Sequence, residues 1–99
     1  MRTDRGEPGL EFDWDPGKAR TNLAKHGVSF EEASTVLDDP FATTVSDSGH
    51  SEMEERLVTI GRSVHGHVLT VGHVERGVRI RLFFARRATK RERQTHEER

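Results

Sequence analysis

The chain has 99 residues, which fits one small domain, and a net charge of −1 at pH 7. It contains no cysteine, which excludes disulfides and thiolate metal sites, and no apolar run approaches the roughly 18 residues of a membrane-spanning helix. The charge is divided, because residues 1–55 hold 5 basic and 13 acidic residues, whereas residues 56–99 hold 11 basic and 4 acidic residues.

The first ten residues, MRTDRGEPGL, lack the apolar segment of a signal peptide. We expect residues 1–10 to be a disordered lead-in, residues 11–99 to be the single domain, and the protein to be cytoplasmic and not bound to a membrane.

The alternating segment EFDWD, residues 11–15, predicts a short strand or an anchor. Its Trp14 is assigned to core packing rather than to contact with a nucleobase.

Two helices are predicted next, over residues 15–27 and 29–40. In the first, Asp15 suits the N-cap, Pro16 the first helical position, and Gly27 the left-handed closing position. In the second, Ser29 and Glu32 match a capping box, and apolar residues recur at helical spacing until the sequence DDP. The short link between them predicts a tight helical hairpin.

From residue 41 the hydrophobic period changes to two, which predicts strands at residues 41–46, 56–62, 68–75 and 78–85, with a polar loop at 47–55. Tight turns around Gly66 and at Arg76-Gly77 predict an antiparallel meander. Thr89 and Glu92 match a second capping box, which opens a charged helix over residues 89–99. The predicted fold is α+β: an N-terminal helical hairpin packed on a four-stranded antiparallel sheet, followed by a short, loosely held C-terminal helix. The hairpin covers one face of the sheet and leaves the other free.

The register of the last two strands decides which side chains share a face. With a two- or four-residue loop, His73 lies opposite Ile80, and Leu69, Val71, His73, Ile80 and Leu82 form the core face. A three-residue loop with a bulge would move the neighbouring arginines of the last strand to the face of His73. The hydrophobic pattern favours the first register.

Thirteen of the 16 basic residues are arginine, whose planar guanidinium group matches a phosphate or a carboxylate. Arg62, Arg86 and Arg87 end predicted strands, and Gly72 leaves room beside Arg81. A helix N-terminus follows the last strand and offers free N–H groups to anions. This pattern favours a phosphodiester ligand, and the alternative is a solvated basic half that pairs with the acidic half of the same chain.

Three segments, FDWDPGKARTNLAKHGVSFEEASTVLDDP, EERLVTIGRS and HVERGVRIRLFFARRATKRER, resemble the BrnT family of ribonuclease toxins. The resemblance covers nearly all of residues 11–93, and KHGVSFEEA and ARRATKRE are its most specific parts. It implies a fold similar to RelE-type toxins and a toxin of a bacterial type II toxin–antitoxin pair that cleaves RNA and arrests growth. It also implies a BrnA-like DNA-binding antitoxin that neutralises the toxin and assembles with it as a dimer of heterodimers.

The chain departs from the family pattern at two places. Relatives tend to have a small polar residue at the position of Phe84, and a tyrosine near the position of His96, whereas this chain has no tyrosine. If that tyrosine contributes to cleavage, His96 either replaces it as a proton carrier or stacking group, or is a solvated tail residue.

Metal-free RNA cleavage uses the 2′-hydroxyl as nucleophile and requires a base, an acid and cations around the phosphorane. Arginine supplies only the cations, because it keeps its proton. The family pattern carries over to Lys25, His26, Arg62, His73, Glu75, Arg79, Arg86 and Arg87. The predicted catalytic residues are Lys25, His26, His73, Glu75, Arg79 and Arg86, and the predicted phosphate-binding residues are Arg62, Arg81 and Arg87.

Each of these assignments has a structural alternative. His73 also fits a partly buried histidine bonded to Glu75, Lys25 and His26 also fit the helix dipole, and the paired arginines also fit salt bridges. A metal site built from His50, His65, His67 and His73 lacks a carboxylate at ligand spacing, so we expect neither metal nor cofactor. The competing function is a non-catalytic module that binds a protein or a nucleic acid through the same arginine-rich face.

Overall fold

The computed structural model describes residues 10–47 and 55–97, which form three helices and one five-stranded sheet. Most of the predicted lead-in and loop therefore lies outside the described residues, but Leu10 packs against the core. The strands are β1 (Glu11–Asp13), β2 (Thr43–Ser46), β3 (Arg56–Arg62), β4 (Val68–Arg76) and β5 (Arg79–Arg87). The helices are α1 (Pro16–His26), α2 (Phe30–Thr35), which continues as a 3₁₀ turn (Val36–Asp38), and α3 (Lys90–Glu97).

The sheet is mixed, with the strand order β1-β5-β4-β3-β2. Strands β2 to β5 form the predicted antiparallel meander, but β1 pairs in parallel with β5 and places Phe12 opposite Ile80. The prediction of a four-stranded antiparallel sheet was therefore wrong by one strand. The short strand predicted at residues 11–15 is present at Glu11–Asp13, but its place in the sheet was not predicted, and the full burial of Phe12 provides the reason for the pairing with β5.

The predicted caps are confirmed. The side chain of Asp15 accepts from Lys18 N at 2.9 Å, the Ser29 hydroxyl accepts from Glu32 N at 3.0 Å, and Gly27 adopts φ of 69°. The second helix ends earlier than predicted, at Thr35. Its hydroxyl donates to the Glu32 carbonyl at 2.6 Å, a local bond that competes with continued α-helix.

The arrangement of the helices differs from the predicted hairpin on one face. Helix α1 lies along β5, whereas α2 and the 3₁₀ turn cover the face of the sheet that carries the core. Trp14 packs edge-to-face on Phe30 at 5.8 Å, which confirms its assignment to the core. The remaining buried apolar residues of this core are Phe12, Val28, Ala33, Val36, Leu69, Val71, Ile80, Leu82 and Ala85.

The β4–β5 turn is formed by Gly77 and Val78, one residue later than predicted, so His73 lies opposite Leu82 rather than Ile80. Moving the turn by one residue changes the pairing by two residues, which leaves every side chain on its predicted face. A bulge follows, because Gly72 pairs with Phe84 and leaves Phe83 as the extra residue of β5.

We call the sheet face that carries Arg79 and Arg81 the open face. The expectation that this face is free holds only near the β4–β5 turn, because α3 covers its other end. There the Thr70 hydroxyl donates to Glu92 at 2.9 Å, and His96 Nε2 lies 2.8 Å from Asp39 Oδ2. The last helix is thus anchored at both ends rather than loosely held.

Candidate nucleic-acid interface

Arg79 and Arg81 project from β5 on the open face, and the carboxylates of β1 face them. Asp13 lies 3.3 Å from Arg79 Nη1 and 3.4 Å from Arg81 Nη1, and Glu11 lies 3.6 Å from Arg79 Nη2. Both arginine side chains remain exposed, at 55% and 45%, so solvent screens these pairs and each contributes at most about 1 kcal/mol. The two guanidinium groups therefore stay accessible to a stronger anion such as a phosphate.

Arg86 has a different environment, because its guanidinium group forms a bidentate pair with Glu92. The two nitrogens donate to Oε1 at 2.9 Å and to Oε2 at 3.1 Å. Glu92 Oε1 also accepts from the Thr70 hydroxyl and from the backbone N–H of Thr89. The bonds from Arg86 are the main reason that the pKa of Glu92 falls to about 2. Arg86 thus fastens α3 to the sheet.

Replacement of Glu92 by glutamine is expected to lower the free energy of unfolding by about 1–2 kcal/mol at pH 7, a value reduced by the partial exposure of Arg86. The pKa of Glu92 is lower in the folded chain, so its contribution is complete above pH 4.5 and is lost as the pH falls towards 2. Urea denaturation at several pH values measures the difference between wild type and variant. Glu97→Gln, an exposed change in the same helix, serves as the control, and an equal loss in both variants would contradict the role of Glu92.

The predicted arginines fall into two separate groups. Arg79 and Arg86 are seven residues apart on β5, which places their Cα atoms roughly 20 Å from each other. They therefore do not meet at one phosphate. Arg62, at the end of β3, donates to the Gly66 carbonyl at 3.0 Å, and Arg87 is exposed at the end of β5.

His73 and Glu75 lie on the side of β4 opposite to Arg79. The ring of His73 is 0% exposed, and its Nε2 is hydrogen-bonded to Thr59 Oγ1 at 2.8 Å, which in turn bonds Thr44 at 2.6 Å. Its Nδ1 lies 3.3 Å from Glu75 Oε2, at an orientation that does not satisfy a hydrogen bond. Burial lowers the pKa of His73 to about 4, so the ring is neutral at pH 7. In this conformation an RNA on the open face does not reach it.

The burial of His73 predicts a loss of stability in mild acid. The pKa of His73 is lowered in the folded chain, so the unfolded chain binds the proton first, and stability falls as the pH decreases from 6.5 towards 4. Each pH unit in that window costs about 1.4 kcal/mol, which gives about 2 kcal/mol between pH 7 and pH 5. Denaturation curves at these two pH values measure the loss. The His73→Gln variant, which keeps a polar side chain beside Thr59, should lose about 2 kcal/mol less than wild type, and equal losses would contradict this role.

Lys25 and His26, at the end of α1, line a groove of about 520 Å³ between this helix and β5. Among the described residues, neither side chain forms an ion pair. The opposite wall is formed by Phe83 and Phe84 of the bulge. The other residues of the lining are Asp15, Gly17, Lys18, Thr21 and Asn22. The groove therefore combines cationic groups, a histidine and aromatic rings, the side chains that bind single-stranded nucleic acid.

Asn22 fixes α1 against β5 through a set of buried hydrogen bonds. Its Nδ2 donates to the carbonyls of Ala85 at 2.8 Å and Val28 at 3.0 Å, and its Oδ1 accepts from Ala85 N at 3.1 Å. The side-chain amide thus pairs with Ala85 as a neighbouring strand would, beyond the point where β1 ends. This contact positions the whole groove.

A second cleft, of about 450 Å³, lies where β3 ends at Arg62, and its lining also includes Asp38 and Asp39. Two carboxylates and one guanidinium make it a less suitable site for a polyanion. The backbone N–H groups of Arg62 and Phe41 donate to Asp39 and lower its pKa despite the opposing effect of burial. His96 approaches the same carboxylate and is only 8% exposed, so this contact joins α3 to the residue that follows the 3₁₀ turn.

The sequence did not predict a functional role for Asn22, for the two acidic residues of β1 or for the aromatic pair of the bulge. Adjacent phenylalanines in a strand of period two, beyond a glycine on the neighbouring strand, are a sequence signal for a bulge. The buried amide of Asn22 has no such signal, because its partner is 63 residues away.

Among the described residues, the remaining histidines lie outside the groove. Glu32 Oε2 accepts from Ser63 Oγ at 2.6 Å and lies 2.8 Å from His67 Nδ1, which ties the β3–β4 turn to α2. Residues 10–47 and 55–97 contain no group of three His, Cys, Asp or Glu side chains placed to hold a metal, and His50 lies outside them. In those same residues, every helix is too short or too polar to span a bilayer.

Comparison with known proteins gives two consistent results. The family of BrnT ribonuclease toxins of type II toxin–antitoxin systems matches residues 14–92. The crystal structure of the ribonuclease toxin BrnT from Brucella abortus has a TM-score of 0.62 to this chain at 24% sequence identity, and the alignment covers 82% of this chain and 99% of that chain. Comparison with curated proteins finds no match. At 24% identity the structural likeness shows the fold alone. The family match spans most of the sequence and therefore shows the family. The chain therefore belongs to the BrnT family of ribonuclease toxins of type II toxin–antitoxin systems.

Proposed function

We propose that the chain is a metal-independent endoribonuclease that binds RNA along the groove between α1 and the Phe83–Phe84 bulge. Membership in the family implies a cognate antitoxin. We further propose that this antitoxin is a BrnA-like DNA-binding protein, that it neutralises the toxin in the cytoplasm, and that the two assemble as a dimer of heterodimers.

One observation carries the proposal: Lys25 and His26 are exposed, form no ion pair with the described residues, and line a groove with two aromatic rings. Cleavage requires one group that removes the 2′-hydroxyl proton and one that protonates the departing 5′-oxygen. Histidine is the side chain that most often transfers protons in catalysis, so His26 is assigned to both steps: its imidazole accepts the 2′-hydroxyl proton and then donates a proton to the departing 5′-oxygen. Lys25 is assigned to the charge on the phosphorane. Neither His73, which is buried, nor Glu75, on the opposite side of β4, is used here.

Arg79 and Arg81 would then hold the RNA on one side of the reacting phosphate. Helix α1 begins next to Arg81, because Asp13 pairs with that residue, and Asn22 binds Ala85 near the other end of β5. RNA in the groove would therefore extend from Arg79 and Arg81 along α1 towards Lys25 and His26, whereas Arg87 pairs with Leu69 and lies on the other face of the sheet. A phosphate would have to replace the carboxylate of Asp13 beside these arginines. The free energy needed to break such half-exposed ion pairs is small. Arg86 contributes through α3, since Glu92 occupies its guanidinium group.

A non-catalytic binding module is the second candidate, and the position of His96 favours it. The family tyrosine is absent, and His96 is buried beside Asp39 rather than exposed as a substitute proton carrier. The purified chain, incubated with RNA in the presence of a chelator, distinguishes the two functions. A ribonuclease yields shortened RNA with 2′,3′-cyclic phosphate ends, and the antitoxin suppresses this product. A binding module retards the RNA in a gel without shortening it, which would overturn the proposed function.

A further inference from the structure

The bulge in β5 places two aromatic rings side by side on the open face. The centroids of Phe83 and Phe84 are 5.4 Å apart, with an interplanar angle of 63°. Both rings are only half-buried, and neither belongs to the core. The fold therefore keeps two large apolar side chains at the surface, against the tendency of phenylalanine to be buried.

Two neighbours fix the position of these rings. Gly72 lies opposite Phe84, and a Cβ atom at Gly72 would be 2.3 Å from the Phe84 ring, so the ring lies directly over the backbone of β4. The guanidinium carbon of Arg56 is 4.7 Å from the centroid of Phe83. Both rings line the groove, but this cation–π contact covers one face of Phe83, whereas among the described residues the Phe84 ring has no such contact.

The opposite wall of the groove decides what the occupant is. Lys18, Lys25 and His26 supply polar and cationic groups there, so a ligand with an apolar flat surface and an attached negative charge fits both walls. A nucleotide of single-stranded RNA has this composition, because its base stacks on an aromatic ring while its phosphate meets cations. An aliphatic side chain of a protein partner would pack against the aromatic wall but would leave the cationic groups of the other wall without a partner.

We propose that Phe84 is a base-stacking residue, which holds one nucleobase of the RNA beside the cleaved bond and so contributes to the choice of cleavage site. The inference rests on the proposed function, since it assumes that RNA enters this groove.

The test uses an RNA that contains the cleavage site but carries a 2′-O-methyl group at the reacting ribose, so that it binds without being cut. Phe84→Leu keeps apolar volume and removes the ring, and it is expected to raise the Kd of this RNA by about 5- to 150-fold. Phe84→Trp is expected to restore binding. Phe41→Leu is the matched control, because Phe41 is 60% exposed beside β2, the strand at the far edge of the sheet. Unfolding temperatures confirm that each variant is folded.

An abasic nucleotide identifies the partner of the ring. Placed at successive positions, it should weaken binding to wild type at one position by the same factor as Phe84→Leu, and it should cause no further loss in that variant. Equal RNA affinity of wild type and Phe84→Leu would overturn the stacking residue while the ribonuclease remained. If Phe84→Leu binds the antitoxin more weakly but binds RNA as wild type does, the stacking role is also overturned. The ring would then belong to the contact with the protein partner. If RNA binding depends on Phe84 but the wild-type chain does not cleave unmodified RNA, the stacking role is supported and only the proposed function is overturned.

Discussion

Replacement of His26 by alanine is expected to lower the rate of RNA cleavage by about 10²–10⁴-fold, the usual contribution of a proton-transfer group. The imidazole is exposed at the end of α1 and forms no ion pair with the described residues, so its removal should leave the unfolding temperature unchanged. Single-turnover cleavage of a labelled RNA measures the rate. Lys25→Ala is expected to give a loss of similar size, through the charge on the phosphorane.

Matched changes outside the groove provide the controls for this experiment. His65→Ala removes an exposed histidine at the β3–β4 turn, and Arg20→Ala removes a positive charge from α1 that does not line the groove. Both variants should cleave RNA at a rate close to that of wild type. Unchanged cleavage by His26→Ala and Lys25→Ala would remove both residues from the reaction. The groove would then be a binding surface only.

Replacement of Asn22 by alanine is expected to lower the free energy of unfolding by about 3–5 kcal/mol. The change leaves the N–H and carbonyl of Ala85 and the carbonyl of Val28 without their buried partner, and each unpaired group costs about 1–3 kcal/mol. This is a large part of the total stability of a small domain. Urea denaturation followed by circular dichroism measures the loss.

Two further variants test the reason for this loss. Asn22→Asp keeps the acceptor for Ala85 N but removes both donors, so it should also be strongly destabilised. Arg20→Ala, an exposed change in the same helix, should remain within about 0.5 kcal/mol of wild type. A loss below about 1 kcal/mol for Asn22→Ala would mean that α1 does not depend on this amide for its position beside β5.

The sequence predicted the elements whose signals are local. Asp15 and Ser29 begin helices because their side chains accept from backbone N–H groups three residues later. The alternation in β4 and β5 placed Leu69, Val71 and Leu82 on the core face, and the structure confirms this even though the turn lies one residue later. The parallel pairing of β1 with β5 and the contacts of α3 were not predicted, because long-range partners rather than local patterns determine them.

His73 shows how two predictions from one sequence conflict. The favoured register placed this residue on the core face, while the family pattern placed it among the catalytic residues. The structure agrees with the face that this register gave to His73, although not with its partner, because His73 is fully buried, bonded to Thr59 and opposite Leu82. Periodicity of two is a direct consequence of strand geometry, so it predicts the side of the sheet, whereas the motif predicts a role without placing the side chain.

The division of charge along the chain has two consequences in the fold. Part of it is internal pairing, since Glu11 and Asp13 of the acidic half face Arg79 and Arg81 of the basic half. The contact of Asp39 with His96 joins the two halves in a second place. What remains accessible includes the exposed Lys25 and Arg87. The proposed RNA site therefore combines Lys25 of the groove, which forms no ion pair with the described residues, with Arg79 and Arg81, whose pairs are screened by solvent.

The position of bound RNA is the most direct test of the proposed site. Amide chemical shifts of the ¹⁵N-labelled chain, titrated with the 2′-O-methyl RNA, report which residues the RNA contacts. The groove predicts that the largest changes occur at Lys18, Lys25 and Phe84. Changes confined to the cleft around Asp38 and Arg62, with none along α1, would contradict RNA binding in the groove.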